Sequence, residues 1–157
     1  MLNSSKIDFV LNNWLAQNDF ECTVEMGTDF AYWYNESVIT YALVVSERMN
    51  RLFLDFAKRQ GLEVDCGIFL LSFFHELGHN KTMDLIDDDE YEEAQAIKKT
   101  LGDTDEDCET YFNLVDEYEA TMWAIDYINN HKAEVGLLAR HLMVEINNFY
   151  QENEIEA

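Results

Sequence analysis

The sequence predicts an α+β fold in which a small antiparallel sheet near the N-terminus is followed by a helix-rich C-terminal half. Three observations carry this. Residues 20–26 alternate apolar and polar side chains as a half-buried strand does, and from residue 46 onward the apolar residues recur mostly in threes and fours. The chain has 157 residues, 48% of them hydrophobic, which is enough for one compact core and too little for two comfortable ones. A single domain over 1–157 is expected.

The opening "SSKIDFVLNNWLAQ" puts Ile7, Val10, Leu11, Trp14 and Leu15 at helical spacing, with Ser4 or Ser5 placed to cap, so a helix is predicted near 5–17. In "FECTVEM" the apolar Phe20, Cys22, Val24 and Met26 alternate with polar residues, and "GTD" separates this run from the aromatic "FAYWY"; a hairpin is predicted there. The stretch 37–45 is ambiguous. "VITYALVV" has strand composition, while Val38, Ala42, Val45, Met49, Leu52 and Phe56 step as a helix would, and the helix is secure only over 46–60. After Gly61, "CGIFLLSFFHELGHNKTMDL" reads as a buried helix, apolar nearly all round until the histidines arrive. The acidic run 87–93 leads into a short helix ending at Gly102. "EDCETYFNLVDEYEATMWAIDYI" and "KAEVGLLARHLMVEINNFYQ" then read as two helices broken at 129–131.

Acidic residues number 32 against 10 basic ones, a formal net charge of -22, concentrated at 87–93, 103–109 and 152–156. Such a surface repels phosphate backbones and favours basic protein partners, although any one acidic run is usually just a solvated face. Apolar runs fall short of the roughly 18 residues a membrane helix needs, and the N-terminus lacks a basic start before an apolar core, so a soluble, cytoplasmic protein is expected. Cys22, Cys66 and Cys108 cannot all pair with one another and form no CxxC, which points to reduced thiols.

The most informative segment is "HELGH", 75–79. Residues four apart share a helix face, so His75 and His79 can direct imidazole nitrogens at one ion while Glu76 projects beside them as an acid/base. With 4 histidines and 18 glutamates in the chain, random placement would yield this pattern about 0.01 times. Zinc is the expected ion, and a catalytic zinc takes a third protein ligand and keeps a position open. A third histidine in the pattern HExxHxxGxxH would need glycine at 82 and histidine at 85, where Thr82 and Leu85 stand. A glutamate from a second helix is the alternative, and "DEYEATMWA" offers Glu117 and Glu119.

HELGH followed by E-x-E-A-x-x-(aromatic)-A resembles the gluzincin metallopeptidases, and among them most the ImmA/IrrE-like family. The resemblance spans roughly 66–128. It implies a zincin-like fold, zinc bound by His75, His79 and Glu117, and Glu76 as the catalytic residue. The residues around each glutamate favour the same ligand: Glu117 has Ala120, Thr121 and Ala124 on its face, so another helix can approach, whereas Phe112, Met122 and Trp123 flank Glu119. One departure is Thr121, where the family pattern often has an aspartate that orients a histidine. A hydroxyl, a carbonyl, or Asp116 or Asp126 must then take that role.

His131, His141, Tyr111 and Tyr118 are chemically able to stabilise an oxyanion, and none is singled out by sequence. "DTDED" at 103–107 starts like a calcium loop but meets Cys108 and Leu114 where glycine and glutamate are required. P-loop, GxGxxG and GxSxG patterns are absent. The aromatic cluster Phe30, Tyr32, Trp33 and Tyr34 suits a core or an apolar cleft better than base stacking in so acidic a chain. What the resemblance implies is a regulatory peptidase acting on a basic protein such as a repressor, in a mobile-element or prophage setting. The rival expectation is an acidic interaction protein that mimics nucleic acid and keeps a structural or vestigial zinc site.

Overall fold

The computed structural model describes residues 5–43 and 46–153, so Ser4, Val45 and most of the acidic run 152–156 lie outside the described residues. Helix α1 covers Ser5–Gln17 and buries Ile7, Val10, Leu11 and Leu15, as the spacing requires. Three short strands follow: β1 (Thr23–Met26), β2 (Ala31–Trp33) and β3 (Val38–Tyr41). Within the ambiguous stretch, residues 38–41 form a strand, separate from helix α2 (Glu47–Arg59), whose first turn is capped by the Ser46 hydroxyl accepting from the Met49 N–H at 3.4 Å.

The sheet is mixed rather than antiparallel, and the expected hairpin between β1 and β2 does not form. The strand order is β1-β3-β2, with β1 parallel to β3 (Thr23 opposite Val38) and β2 antiparallel to it (Ala31 opposite Thr40). Burial explains the order. Every residue of β3 is at least partly covered, and Ile39 and Tyr41 are fully buried, so this β-branched strand takes the centre. Both β1 and β2 leave residues exposed and lie at the edges. The turn that does form joins β2 to β3, with Ser37 in the left-handed region (φ 53°).

Helix α3 (Ile68–Thr82) runs through the middle of the molecule, with Leu70, Leu71, Phe73, Phe74 and Leu77 in the core. A single 3-10 turn, Met83–Leu85, ends it. Helix α4 (Asp88–Lys98) starts within the acidic run rather than after it. Asp87 caps it, and Asp88, Asp89 and Glu90 occupy the first turn, where the helix dipole favours negative charge. Helix α5 (Asp105–Phe112) begins the same way, with the Thr104 hydroxyl accepting from the Asp107 N–H at 3.1 Å and three acids in its first turn. These two acidic runs therefore serve the helix starts.

One further expectation is corrected. The segment expected as a single helix from 106 to 128 is broken at Asn113–Leu114 into α5 and α6 (Val115–Asn130), because Leu114 is extended (ψ 143°). Helix α7 (Lys132–Glu152) follows a break at His131, inside the expected 129–131. The main core joins α1, the sheet, α3, α6 and α7, and a smaller cluster of Phe56, Cys108 and Phe112 ties α2 to α5. No helix among the described residues is long and apolar enough to cross a membrane.

The packing of α3 on α6 fixes the site. At their crossing Gly78 lies so close to α6 that a Cβ built on it would sit 2.3 Å from the Ala120 carbonyl oxygen. That is backbone, which cannot rotate aside. Gly136, in the interior of α7, would meet nothing nearer than the Arg140 guanidinium at 3.7 Å. Gly78→Ala should therefore lose about 3 kcal/mol of stability by overpacking, while Gly136→Ala should be neutral or gain up to about 1 kcal/mol from helix propensity. Chemical denaturation of the two variants checks the pair, and equal stability of both would contradict the close approach.

Candidate metal centre

Helix α3 turns His75 and His79 toward α6, with Glu76 beside them on the cleft side, and α6 answers with Glu117, Ala120, Thr121 and Ala124, all buried and spaced to lie on one side. Two small residues and a glycine let the helices meet, and the polar side chains fill what remains. His75 Nε2 lies 3.0 Å and His79 Nε2 3.1 Å from the same oxygen, Glu117 Oε2. The two imidazole rings stand nearly perpendicular, 85° apart, with centroids separated by 4.8 Å. The ligating atoms of the three residues all lie within 4.8 Å of one another.

This arrangement fits a small divalent ion. Metal–ligand distances of 2.0–2.2 Å in a tetrahedron put neighbouring donor atoms roughly 3.3 Å apart, close to the 3.0 and 3.1 Å found here. Two imidazoles and one carboxylate suit zinc, and the same donor set suits iron.

The surrounding groups fix the ligand orientations. His75 Nδ1 is 2.9 Å from the Thr121 hydroxyl, so a hydroxyl takes the place that sequence left open, and the Phe53 ring meets His75 edge-on at 5.3 Å. Asp116 and Asp126 do not serve the histidines. Asp126 accepts from Asn130, and Asp116 accepts from Gln95 Nε2 at 2.9 Å and Lys98 Nζ at 2.5 Å. His79 Nδ1 is buried with no hydrogen-bond partner among the described residues.

The second oxygen of Glu117 is clamped separately. Tyr111 Oη donates to Oε1 at 2.9 Å and Lys98 Nζ donates to it at 3.1 Å, leaving Oε2 to face the histidines. Lys98 carries no sequence signal, and Tyr111 was one of four chemically able donors of which none was singled out. Tyr111 alone of the four candidate donors reaches the site. Tyr118 packs on Phe56, His131 donates to the Tyr127 carbonyl and stacks on its ring, and His141 is exposed on α7. Glu119 is exposed on the far side of α6 from Glu117.

Glu76 is buried beside the histidines and lines a cleft of about 150 Å³ with His75, Tyr111, Phe53, Phe112 and Phe30. Burial raises its carboxyl pKa, an effect that His75 and His79 offset in part. Burial also disfavours the anion of Glu117, but hydrogen bonds from the two histidines outweigh it and hold its carboxyl well below the usual range. His79 responds in the opposite sense. Burial disfavours its charged form, yet the hydrogen bond and charge of Glu117, with Glu76 and Asp116 behind it, carry its pKa above the ordinary histidine value. Lys98 is likewise held in its charged form, Glu117 and Asp116 outweighing burial.

In comparisons with protein-family models, curated proteins and solved structures, nothing matches this chain. The functional reading rests on the geometry of the site and on the motif spacing.

A pH dependence follows from these shifts. A metal must displace the proton of His79, which is retained to a higher pH than the ordinary value of about 6.5, whereas Glu117 stays ionised well into acid. Metal affinity should therefore begin to fall on acidification while the pH is still above about 6.5 and go on falling below it. Competition titrations against a chromophoric chelator across this range provide the check, and an affinity that stays level until the carboxylate range would contradict it.

Proposed function

We propose that this chain is a zinc-dependent metallopeptidase that hydrolyses peptide bonds in a protein substrate. One observation carries the reading: Glu76, the residue after His75, shares a cleft with His75 beside the convergent set His75, His79 and Glu117. A zinc ion held by those three would supply Lewis acidity toward a carbonyl and lower the pKa of a water. The same ligands also suit iron, and it is the adjacent carboxyl that favours hydrolysis.

The protein's own groups then have distinct tasks. Burial brings the Glu76 carboxyl up from its ordinary range, the direction that suits a group taking a proton from water and returning it to a leaving amine. Thr121 orients His75, and Tyr111 with Lys98 fixes Glu117. Because the Tyr111 hydroxyl is already given to Glu117, we assign it no role on an oxyanion. Phe30, Phe53 and Phe112 make the cleft walls apolar, which strengthens every electrostatic contact inside. Phe30 also stands directly before β2, whose outer edge has no strand beside it among the described residues, so an extended polypeptide can pair there and enter the cleft.

The net charge of -22 favours a basic substrate. The resemblance to the ImmA/IrrE-like family supports a regulatory peptidase acting on a basic DNA-binding protein such as a repressor.

The test is hydrolysis of a mixture of unstructured synthetic peptides by the zinc-loaded protein, read by mass spectrometry. Glu76→Gln should keep the metal and lose about 10²–10⁴ in rate. Zinc bound at one per chain with no peptide cleaved, or equal cleavage by the variant, would overturn the peptidase reading, and the first of these would leave an acidic binding protein with a structural metal.

A further inference from the structure

A groove of about 770 Å³, larger than the metal cleft of about 150 Å³, lies beyond the other end of β2. One wall comes from the β2–β3 hairpin and the other from the segment between α3 and the first turn of α4. Four aromatic residues line it, Tyr32, Trp33, Tyr34 and Tyr91, together with three acids, Glu36, Asp84 and Asp88, and no lysine or arginine. Trp33 and Tyr34 are 53% and 52% exposed. Folding does not cover these rings, and large rings gathered in one exposed groove mark a binding surface more often than isolated ones do.

The walls are held in place. Tyr34 Oη donates to Asp84 Oδ1 at 2.7 Å, linking the hairpin to the segment after α3, and Trp33 Nε1 donates to Thr40 Oγ1 at 3.2 Å. Tyr32 Oη accepts from Asn80 Nδ2 at 3.0 Å, and Asn80 directly follows His79, so the groove and the metal centre share one framework. Phe30, just before β2, lines the cleft of His75 and Glu76, and Trp33, the last residue of β2, lines the groove. Strand rise puts roughly 3.3 Å between successive residues. A chain laid along the edge of β2 that has no strand beside it among the described residues therefore passes from cleft to groove within about four residues.

The chemistry of the lining selects the occupant. Aromatic faces attract guanidinium and ammonium groups and accept their aliphatic stems, and carboxylates without a competing cation pair with them. We propose that this groove is a docking site for an arginine- or lysine-bearing segment of an extended polypeptide. That the segment belongs to a peptidase substrate rests on the reading above, whereas its binding to the groove does not.

The experiment measures fluorescence anisotropy of a short labelled peptide of alternating arginine and serine. It is done in the Glu76→Gln background at physiological ionic strength, where attraction between exposed charges fades beyond about 8 Å. Replacing the groove acids together, by Glu36→Gln, Asp84→Asn and Asp88→Asn, should weaken binding about tenfold, and Trp33→Ala should weaken it severalfold. A control with Glu21→Gln, Glu106→Gln and Glu134→Gln removes as much charge from exposed positions outside the groove and should change affinity less than about twofold. Equal losses in the groove and control variants would mean that only the overall charge attracts the peptide, and would overturn the proposal. So would full affinity in Trp33→Ala, or no binding by the parent protein. Because the readout needs neither metal nor turnover, it separates failure of the groove from failure of the peptidase reading.

Discussion

The approach of α3 to α6 at Gly78 and Ala120 is the constraint on which the site depends. A helix pair carrying larger side chains at the crossing would separate by several ångströms, and the hydrogen-bond distances between Glu117 and the two histidines would be lost. Here the contact is made at backbone level, with a hydrogen in place of a side chain on α3. Glu117, three residues before Ala120, and Thr121, one after it, are thereby brought against His75 and His79. The apolar side chains of α3 bury the rest of that helix and fix its rotation, so the position of the polar cluster follows from the core.

Collecting several carboxylates in one buried place is costly unless their charge is balanced. Glu117, Asp116 and Glu76 lie close together, and the charged groups offsetting them are Lys98 and, when protonated, His79. Helix α4 owes its place in this account to Lys98. Its packing against α6 delivers one ammonium to both Asp116 and Glu117, and the break between α5 and α6 turns the Tyr111 hydroxyl onto the same carboxylate. An ion between the histidines would complete the balance, replacing the proton of His79 and leaving the hydrogen bonds of Glu117 Oε1 intact. Its displacement of a proton from His79 ties its affinity to pH.

How far sequence could see this differs from residue to residue. His75 and His79 were legible because residues four apart share a helix face, and Glu76 because it stands between them in the HExxH pattern. Glu117 could be told from Glu119 by its small neighbours, which mark where another helix can come near. The break at Asn113–Leu114 was not legible, because apolar residues continue across it and no glycine or proline marks it. Sheet order was missed for a different reason. A strand's place at centre or edge depends on what covers it, and the alternation of residues 20–26 fits either an antiparallel or a parallel neighbour. Lys98 stands near a helix end with no motif around it, and only the docking of α4 makes it part of the site. The acidic runs read as solvated surface, and two of them prove to be helix first turns as well.

His75, His79 and Glu117 converge as a group that could hold one metal ion, and on that ion the proposed chemistry depends. The most direct measurement is elemental analysis of protein purified without chelators and offered zinc, comparing the parent chain with His75→Ala, Glu117→Gln and Glu119→Gln. About one zinc per chain is expected, retained in Glu119→Gln, lost in His75→Ala and weakened in Glu117→Gln. Absence of stoichiometric metal in the parent chain, or loss in Glu119→Gln with retention in Glu117→Gln, would contradict it.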